Sequence, residues 1–351
     1  MPATANKAIR FILKGRKMKK KTIGNEIAVE KTGETAQSVA RAGSARKFRI
    51  YLKRYWQLYL MLALPIIYLL VFKYAPMRYI IIAFKDYKLN TKLLDMPWAT
   101  TGGELDIFKH FKKAMNVDFY NALRNNVTLN LMDLFFGFPA PIIFALILNE
   151  LPFKKFKKTV QTIAYMPHFL SWVIIYSLSI QLFAPTGGLV NQFLVLSGHE
   201  AIPFLNESGH WIFTYIMMGI WQSFGWGSII YLAAIAGINP ELYEAAAVDG
   251  AGRFRKMWHV TLPGIKSTII VLLIMNLGGI VGGAFDRIYA MQNPLVLDVA
   301  ETIATFVYKN GVKQNKFSLS TAVGLFQSVV GLFFLLGANT LSRKLGERGI
   351  W

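Results

Sequence analysis

The chain contains no cysteine, so neither a disulfide framework nor a thiolate metal site is open to it. It is also short of acid, with 19 Asp and Glu against 39 Lys and Arg in 351 residues and a formal net charge of +20. No GxxxxGK[ST] phosphate loop occurs, so ATP hydrolysis by this chain is not expected. Its histidines, His110, His168, His199, His210 and His259, form no HExxH or other metal-ligand spacing, and no Gly-x-Ser-x-Gly nucleophile turn is present. These absences leave an enzyme reading without a foothold, and no cofactor or metal is expected on the chain.

What the sequence has in abundance is apolar length. Hydrophobic residues make up 54% and the mean hydropathy is +0.38. Six runs reach the roughly 20 residues needed to cross a bilayer: about 56–84, 120–148, 160–183, 211–235, 268–289 and 320–341. The predicted fold is therefore all-α, a polytopic membrane protein with six transmembrane helices over 56–345. A basic cytoplasmic tail over 1–55 precedes it and a short cytoplasmic tail over 346–351 follows it.

Charge orients these spans. Residues 1–55 hold 15 basic residues and three acids, Glu26, Glu30 and Glu34. The patch Ala8–Leu13 is broken by Arg10 and no small-residue cleavage site follows, so a cleaved signal peptide is not expected. Lys154, Lys155, Lys157 and Lys158 fall on the same predicted side, as do Arg253, Arg255, Lys256 and Lys266, then Arg343, Lys344 and Arg348. The segment 184–209 on the other side has no Lys or Arg, the asymmetry of a positive-inside topology with both termini cytoplasmic. The net charge is thus accounted for by topology and contact with anionic lipid. Phe11 is the only aromatic residue in 1–47, so the stacking platforms of a nucleic-acid binder are missing from the tail.

One stretch is too short, charged and glycine-broken to span: residues 239–263, NPELYEAAAVDGAGRFRKMWHVTLP. Asn239 suits an N-cap and Pro240 the first helical position. The predicted shape is a helix ended by Gly250 and Gly252, a turn, and a second short helix over 253–259, with Pro263 breaking the chain before the next apolar run. The bland reading is an amphipathic helix that anchors a loop at the interface.

The spacing Glu244-Ala245-Ala246, three residues, Gly250, nine residues, Val260, one residue, Leu262-Pro263 resembles the EAA signature of permease subunits of binding-protein-dependent ABC importers. Val260 departs from the usual isoleucine. The resemblance implies that this loop is a coupling helix docking on a separate ATPase, with Glu241, Glu244, Ala245, Ala246, Asp249, Gly250, Leu262 and Pro263 at the contact. It implies further partners: a second related permease, two ATPase subunits carrying ATP and Mg, and an extracytoplasmic solute-binding protein. The setting it implies is the cytoplasmic membrane of a prokaryote. Asn149-Glu150-Leu151, Tyr165-Met166-Pro167-His168, and Asn293-Pro294 followed by Thr321–Ser328 are similar to the carbohydrate-importing branch, of the polysaccharide or complex-oligosaccharide type.

Candidate pathway residues follow from chemistry. Asp133 is the deepest acid in an apolar run and Asp286 lies at the end of another; intramembrane ionisable groups are functional candidates. Trp221, Gln222, Trp226 and Tyr231, with Phe135 and Phe136, offer flat apolar faces and an amide suited to sugar rings and hydroxyls, although aromatic residues in spans more often pack or sit in interfacial belts. Gly278, Gly279, Gly282 and Gly283 form small-xxx-small pairs that predict close helix packing. The residues leave two other readings open: an ion-gradient transporter using Asp133 or Asp286, and a membrane scaffold.

Overall fold

The structure is a computed structural model that describes residues 51 and 53–344. Nearly all of the basic tail and the terminal 346–351 segment lie outside the described residues. The chain divides into two compact units, residues 1–78 and 79–351. The first contributes α1 (Trp56–Leu69), which opens a 29-residue helical stretch ending at Phe84.

In the second unit the elements run α2 (Lys109–Ala114), α3 (Val117–Met132), α4 (Pro139–Asn149), α5 (Lys154–Tyr165), α6 (Trp172–Phe183), α7 (Leu189–Leu196) and α8 (Ser208–Ala236). Then come α9 (Pro240–Val248), α10 (Arg253–Lys256), α11 (Lys266–Gly278), α12 (Phe285–Met291), α13 (Ile303–Val307) and α14 (Phe317–Lys344). The only strands among the described residues are β1 (Thr100–Thr101) and β2 (Glu104–Leu105), joined through Gly102 and Gly103 at positive φ. Three helices are long and apolar enough to cross a membrane, or five if each of two bent pairs counts as one span. The 29-residue α8 is not among those five, although it has the length.

Three prolines follow widened turns, although Pro65 lies inside α1 without one and a fourth π-helical turn, Tyr308–Lys313, precedes no proline. The turns Leu70–Tyr74, Asp133–Gly137 and Met257–Thr261 are π-helical, and each ends two residues before a proline: Pro76, Pro139 and Pro263. A proline has no N–H and its ring collides with the carbonyl four residues back. Widening the preceding turn relieves that collision, so Phe138 N–H bonds to Asp133 O at 3.0 Å. This corrects the expectation at Pro263. The helix runs through it to Gly264, and the 60° bend falls between Gly264 and Lys266.

Two expected spans are broken. The third, predicted over 160–183, bends by 105° between α5 and α6, where Pro167 precedes an extended Leu170 and Ser171 caps α6 by accepting from Ile174 N–H. The fifth, predicted over 268–289, stops at Gly278 and leaves 279–284 outside any helix. Backbone groups at membrane depth need internal partners, and amides from other helices supply them. Asn126 Nδ2 donates to Ile280 O (3.2 Å) and Val281 O (3.0 Å), Asn130 Nδ2 to Gly282 O (3.1 Å), and Gln327 Nε2 to Val281 O (2.7 Å). Of the glycines expected to pack helices closely, Gly278 does so: an added Cβ would lie 2.7 Å from Leu335 Cδ1 of α14. Gly279, Gly282 and Gly283 lie in the break instead.

The buried Arg287 of α12 joins three elements. Its Nη1 is 2.7 Å from Asp133 Oδ2, its Nη2 donates to Tyr215 O, and its guanidinium lies over the Tyr215 ring. Gly219, on α8, is required here, because any Cβ would overlap that guanidinium. Trp211, fully buried, donates from Nε1 to Met291 O at 2.9 Å and stacks on Tyr215, tying α8 to α12.

Between α1 and α3 the chain forms a small folded segment. Lys85, 3% exposed, donates to Leu93 O (3.1 Å) and Leu94 O (2.9 Å) and lies over the Trp98 ring. Asp86 Oδ1 is 2.9 Å from Lys109 Nζ and 3.0 Å from His110 Nε2. Burial works to raise the Asp86 pKa, but the Lys109 hydrogen bond and charge, helped by His110, hold it below its ordinary 3.8. Burial pushes His110 below its ordinary 6.5 against the pull of Asp86.

Replacing Asp133 by Asn leaves a buried guanidinium without its counter-charge, and the expected loss of stability is about 3–5 kcal/mol. Thermal unfolding in detergent checks this, with the double variant D133N/R287Q predicted to recover part of the loss. The folded segment should also loosen in acid. An unfolded His110 takes a proton near its ordinary 6.5, where the folded one does not. Stability therefore falls as pH drops below that value, and falls again below 3.8 as unfolded Asp86 protonates. Amide exchange over 85–114, corrected for intrinsic rate, should quicken on acidification, and His110→Gln should blunt the first step.

Candidate functional site

The loop over 239–264 is built as the sequence requires. Asn239 Oδ1 accepts from Glu241 N–H at 3.1 Å and Pro240 takes the first helical position. Helix α9 closes with Gly250 at φ +73°: Ala251 N–H bonds to Ala246 O (2.8 Å) and Gly250 N–H to Ala247 O (3.1 Å). That is a Schellman closure, in which the left-handed residue is glycine because a Cβ strains the turn. Nothing lies within 4 Å of a Cβ added at Gly250, so the demand is on the backbone alone.

The second arm, α10 and its π-helical continuation, folds back on the first. Tyr243 Oη and Thr261 Oγ1 are 3.0 Å apart, and Thr261 is 1% exposed. Where the two ends of the loop meet, a Cβ on Gly264 would lie 2.6 Å from Ile238 Cδ1. Of the residues expected at a contact, Glu241, Glu244, Ala245, Asp249, Gly250 and Pro263 are exposed, while Ala246 and Leu262 are half-buried. The loop also presents Val248 at 89% exposure, Phe254 at 83%, Trp258 at 64% and Leu242 at 54%. Sequence reasoning did not assign these four to the contact. The available signal was large apolar residues alternating with charge in a segment too polar to span.

The second feature is an open cavity of about 380 Å³ between the π-helical turn Asp133–Gly137, α8 and α11. Asn130, Asp133, Ser223, Tyr231, Asn276 and Arg287 supply its polar groups. Asn130 Nδ2 is committed to Asn126 O and Gly282 O, and Asp133 Oδ2 to Arg287. This leaves the Asn130 carbonyl and Asp133 Oδ1 as acceptors, a wall suited to ligands rich in hydroxyl donors.

The structure brings together two of the residues expected in a pathway, Asp133 and Tyr231, and adds Arg287, the partner that sequence reasoning left unidentified for Asp133. Asp286 does not join them; it is exposed in the first turn of α12. Trp221, 38% exposed, lines a separate apolar recess with Phe144, Ile163 and Phe224. Gln222 donates to His168 O at 3.3 Å. Trp226, 44% exposed, stacks on His168 with ring centroids 4.8 Å apart. Asn130 and Asn276 were missed, although amides in apolar helices are a readable signal.

Residues 117–347 match the family described as "Binding-protein-dependent transport system inner membrane component". Protein LplB of Bacillus subtilis (strain 168) is 43% identical over 313 residues, 89% of this chain and 96% of that protein. The polygalacturonan/rhamnogalacturonan transport system permease protein YteP of the same organism is 46% identical over 295 residues, 84% of this chain and 90% of that protein. A chain in the crystal structure of a bacterial alginate ABC transporter, in complex with an alginate pentasaccharide-bound periplasmic protein, superposes with a TM-score of 0.76. It is 39% identical, over 85% of this chain and 98% of that one. With the match covering well over half its length, the chain belongs to the inner membrane components of binding-protein-dependent transport systems.

Proposed function

We propose that this chain is a permease subunit of an ATP-driven importer that moves an oligosaccharide across the cytoplasmic membrane of a prokaryote by alternating access. A transport component of this family is not an enzyme, and ATP with Mg belongs to partner subunits in this reading. The observation that carries it is the exposed loop over 239–264, a helical hairpin that offers Leu242, Val248, Phe254 and Trp258 to a partner. Large apolar side chains so exposed mark an interaction surface. The remaining partners are a second permease, two ATPase subunits and an extracytoplasmic solute-binding protein.

The topology proposed has six spans: the stretch 56–84, the helix 117–149, the bent pair α5 and α6, then α8, the bent pair 253–264 and α11, and α14. At about 1.5 Å per residue, the 29 residues of α8 are long enough to cross. Its glycines and polar residues lower its hydropathy because they face the cavity and its neighbours. Both termini and the 239–264 loop then lie in the cytoplasm, where an ATPase would be.

The cavity is proposed as part of the carbohydrate pathway. Its free acceptors suit sugar hydroxyls, and the named cargoes of similar proteins, polygalacturonan/rhamnogalacturonan and alginate, are polysaccharides. Closure of the ATPases would move α9, and the Tyr243–Thr261 contact would pass that movement to the second arm and α11. The ion-gradient alternative has no support: Asp133 is held by Arg287, Asp286 is exposed, and the family is one of binding-protein-dependent systems.

Gly250→Trp is expected to leave membrane insertion intact but to uncouple ATP hydrolysis from uptake in the reconstituted importer. Unchanged transport in that variant contradicts the coupling role. Gly250→Ala, which only forces a Cβ into left-handed backbone at about 1–2 kcal/mol, should be impaired less. Val248→Asp should weaken co-purification of the ATPase while the amount of inserted chain stays the same.

A further inference from the structure

A small polar notch of about 210 Å³ lies where α4 ends, α8 ends and α9 begins, lined by Asn149, Lys157, Gln161, Ile235 and Tyr243 among others. Lys157 is unlike its neighbours. Lys154, Lys155 and Lys158 are exposed, whereas Lys157 is half-buried. On helical spacing it shares a stripe with Gln161 and the buried Ala164, four and seven residues on. A lysine drawn partly into a packing stripe loses hydration and gains from a partner of opposite charge. Among the described residues Lys157 has no ion-pair partner, and the amides of Asn149 and Gln161 make no hydrogen bond. Three donor groups thus line one small space, with Tyr243 beside them.

We propose that this notch holds the phosphate of an anionic phospholipid. The site rests on the topology proposed above, which puts the ends of α4 and α8 at the cytoplasmic headgroup level. Lys157 would supply the charge, while Asn149 and Gln161 would donate to phosphate oxygens. The choice of a lipid over an acidic protein segment comes from the surface next to the notch. Phe153, Phe156 and Ile163 line one face of α5 and are 72%, 55% and 63% exposed, with Val160 between them. An apolar stripe beside a half-buried, unpaired cation is the pairing a phospholipid needs, with acyl chain on one and headgroup in the other. A protein carboxylate has no use for the stripe. Tyr243 is on α9 and touches Thr261 of the second arm, so an occupied notch braces the loop that couples to the ATPase.

The test is retention of phosphatidylglycerol by the purified chain, read by native mass spectrometry after exchange into phosphatidylcholine with graded phosphatidylglycerol. One lysine near an anionic surface is worth about fivefold in occupancy. Lys157→Gln is therefore expected to weaken retention about fivefold, Gln161→Leu to weaken it less, and Lys154→Gln to leave it unchanged. In proteoliposomes holding the assembled importer, phosphatidylglycerol should raise ATP-driven uptake in the native protein but not in Lys157→Gln. Equal retention by native protein and Lys157→Gln overturns the site, and so does an equal loss in Lys154→Gln, which would mean diffuse surface attraction. Loss of the ATPase from Lys157→Gln in every lipid mixture overturns it in favour of a protein carboxylate. Failure of the importer reading has a different sign: the native chain would recover no ATPase, while its lipid retention is still measured directly.

Discussion

Everything in this molecule depends on how it satisfies backbone polar groups where helices break inside an apolar environment. An unpaired carbonyl there costs several kcal/mol, yet the chain leaves 279–284 outside any helix. Asn126, Asn130 and Gln327 make that possible by donating from two other helices to the freed carbonyls. The break in turn lets α12 leave the line of α11 and bring Arg287 beside Asp133 and Tyr215. The cavity is bounded by these same elements, so its shape follows from where the hydrogen bonds could be made.

The π-helical turns obey the same logic by another route. Proline removes a donor and crowds the turn before it, and before Pro76, Pro139 and Pro263 the chain answers by widening that turn without ending the helix. At Asp133–Gly137 this turns Asp133 toward Arg287 and lines the cavity; at Met257–Thr261 it carries the second arm of the exposed loop into Pro263. Two features of the proposed transport function, a polar cavity and a helical coupling loop, thus arise from one local constraint met in two places.

Much of this was legible in the sequence. Asn239-Pro240 and Gly250 mark the bounds of α9 because capping and left-handed backbone are local demands, set by the residues themselves. The second span was legible from its length and apolarity. The breaks in the third and fifth were not: Pro167 and Gly278–Gly283 stand visibly at them, but breaking the helix there depends on compensating amides that lie on other elements. Asp133 stood out as an acid within an apolar run, but its partner is 154 residues away, a pairing that only tertiary folding creates. The placement of Asp286, Trp221 and Trp226 away from the cavity was hidden for the same reason: their side-chain chemistry is visible, their direction is not.

The central claim is that movement of the 239–264 loop by an ATP-driven partner carries an oligosaccharide inward. Uptake into proteoliposomes holding this chain with its partner permease and ATPases tests it most directly, with ion gradients collapsed by ionophores. The account predicts oligosaccharide accumulation that requires ATP and the solute-binding protein and that is indifferent to the ionophores. Accumulation that ignores ATP and vanishes with the gradient would contradict it.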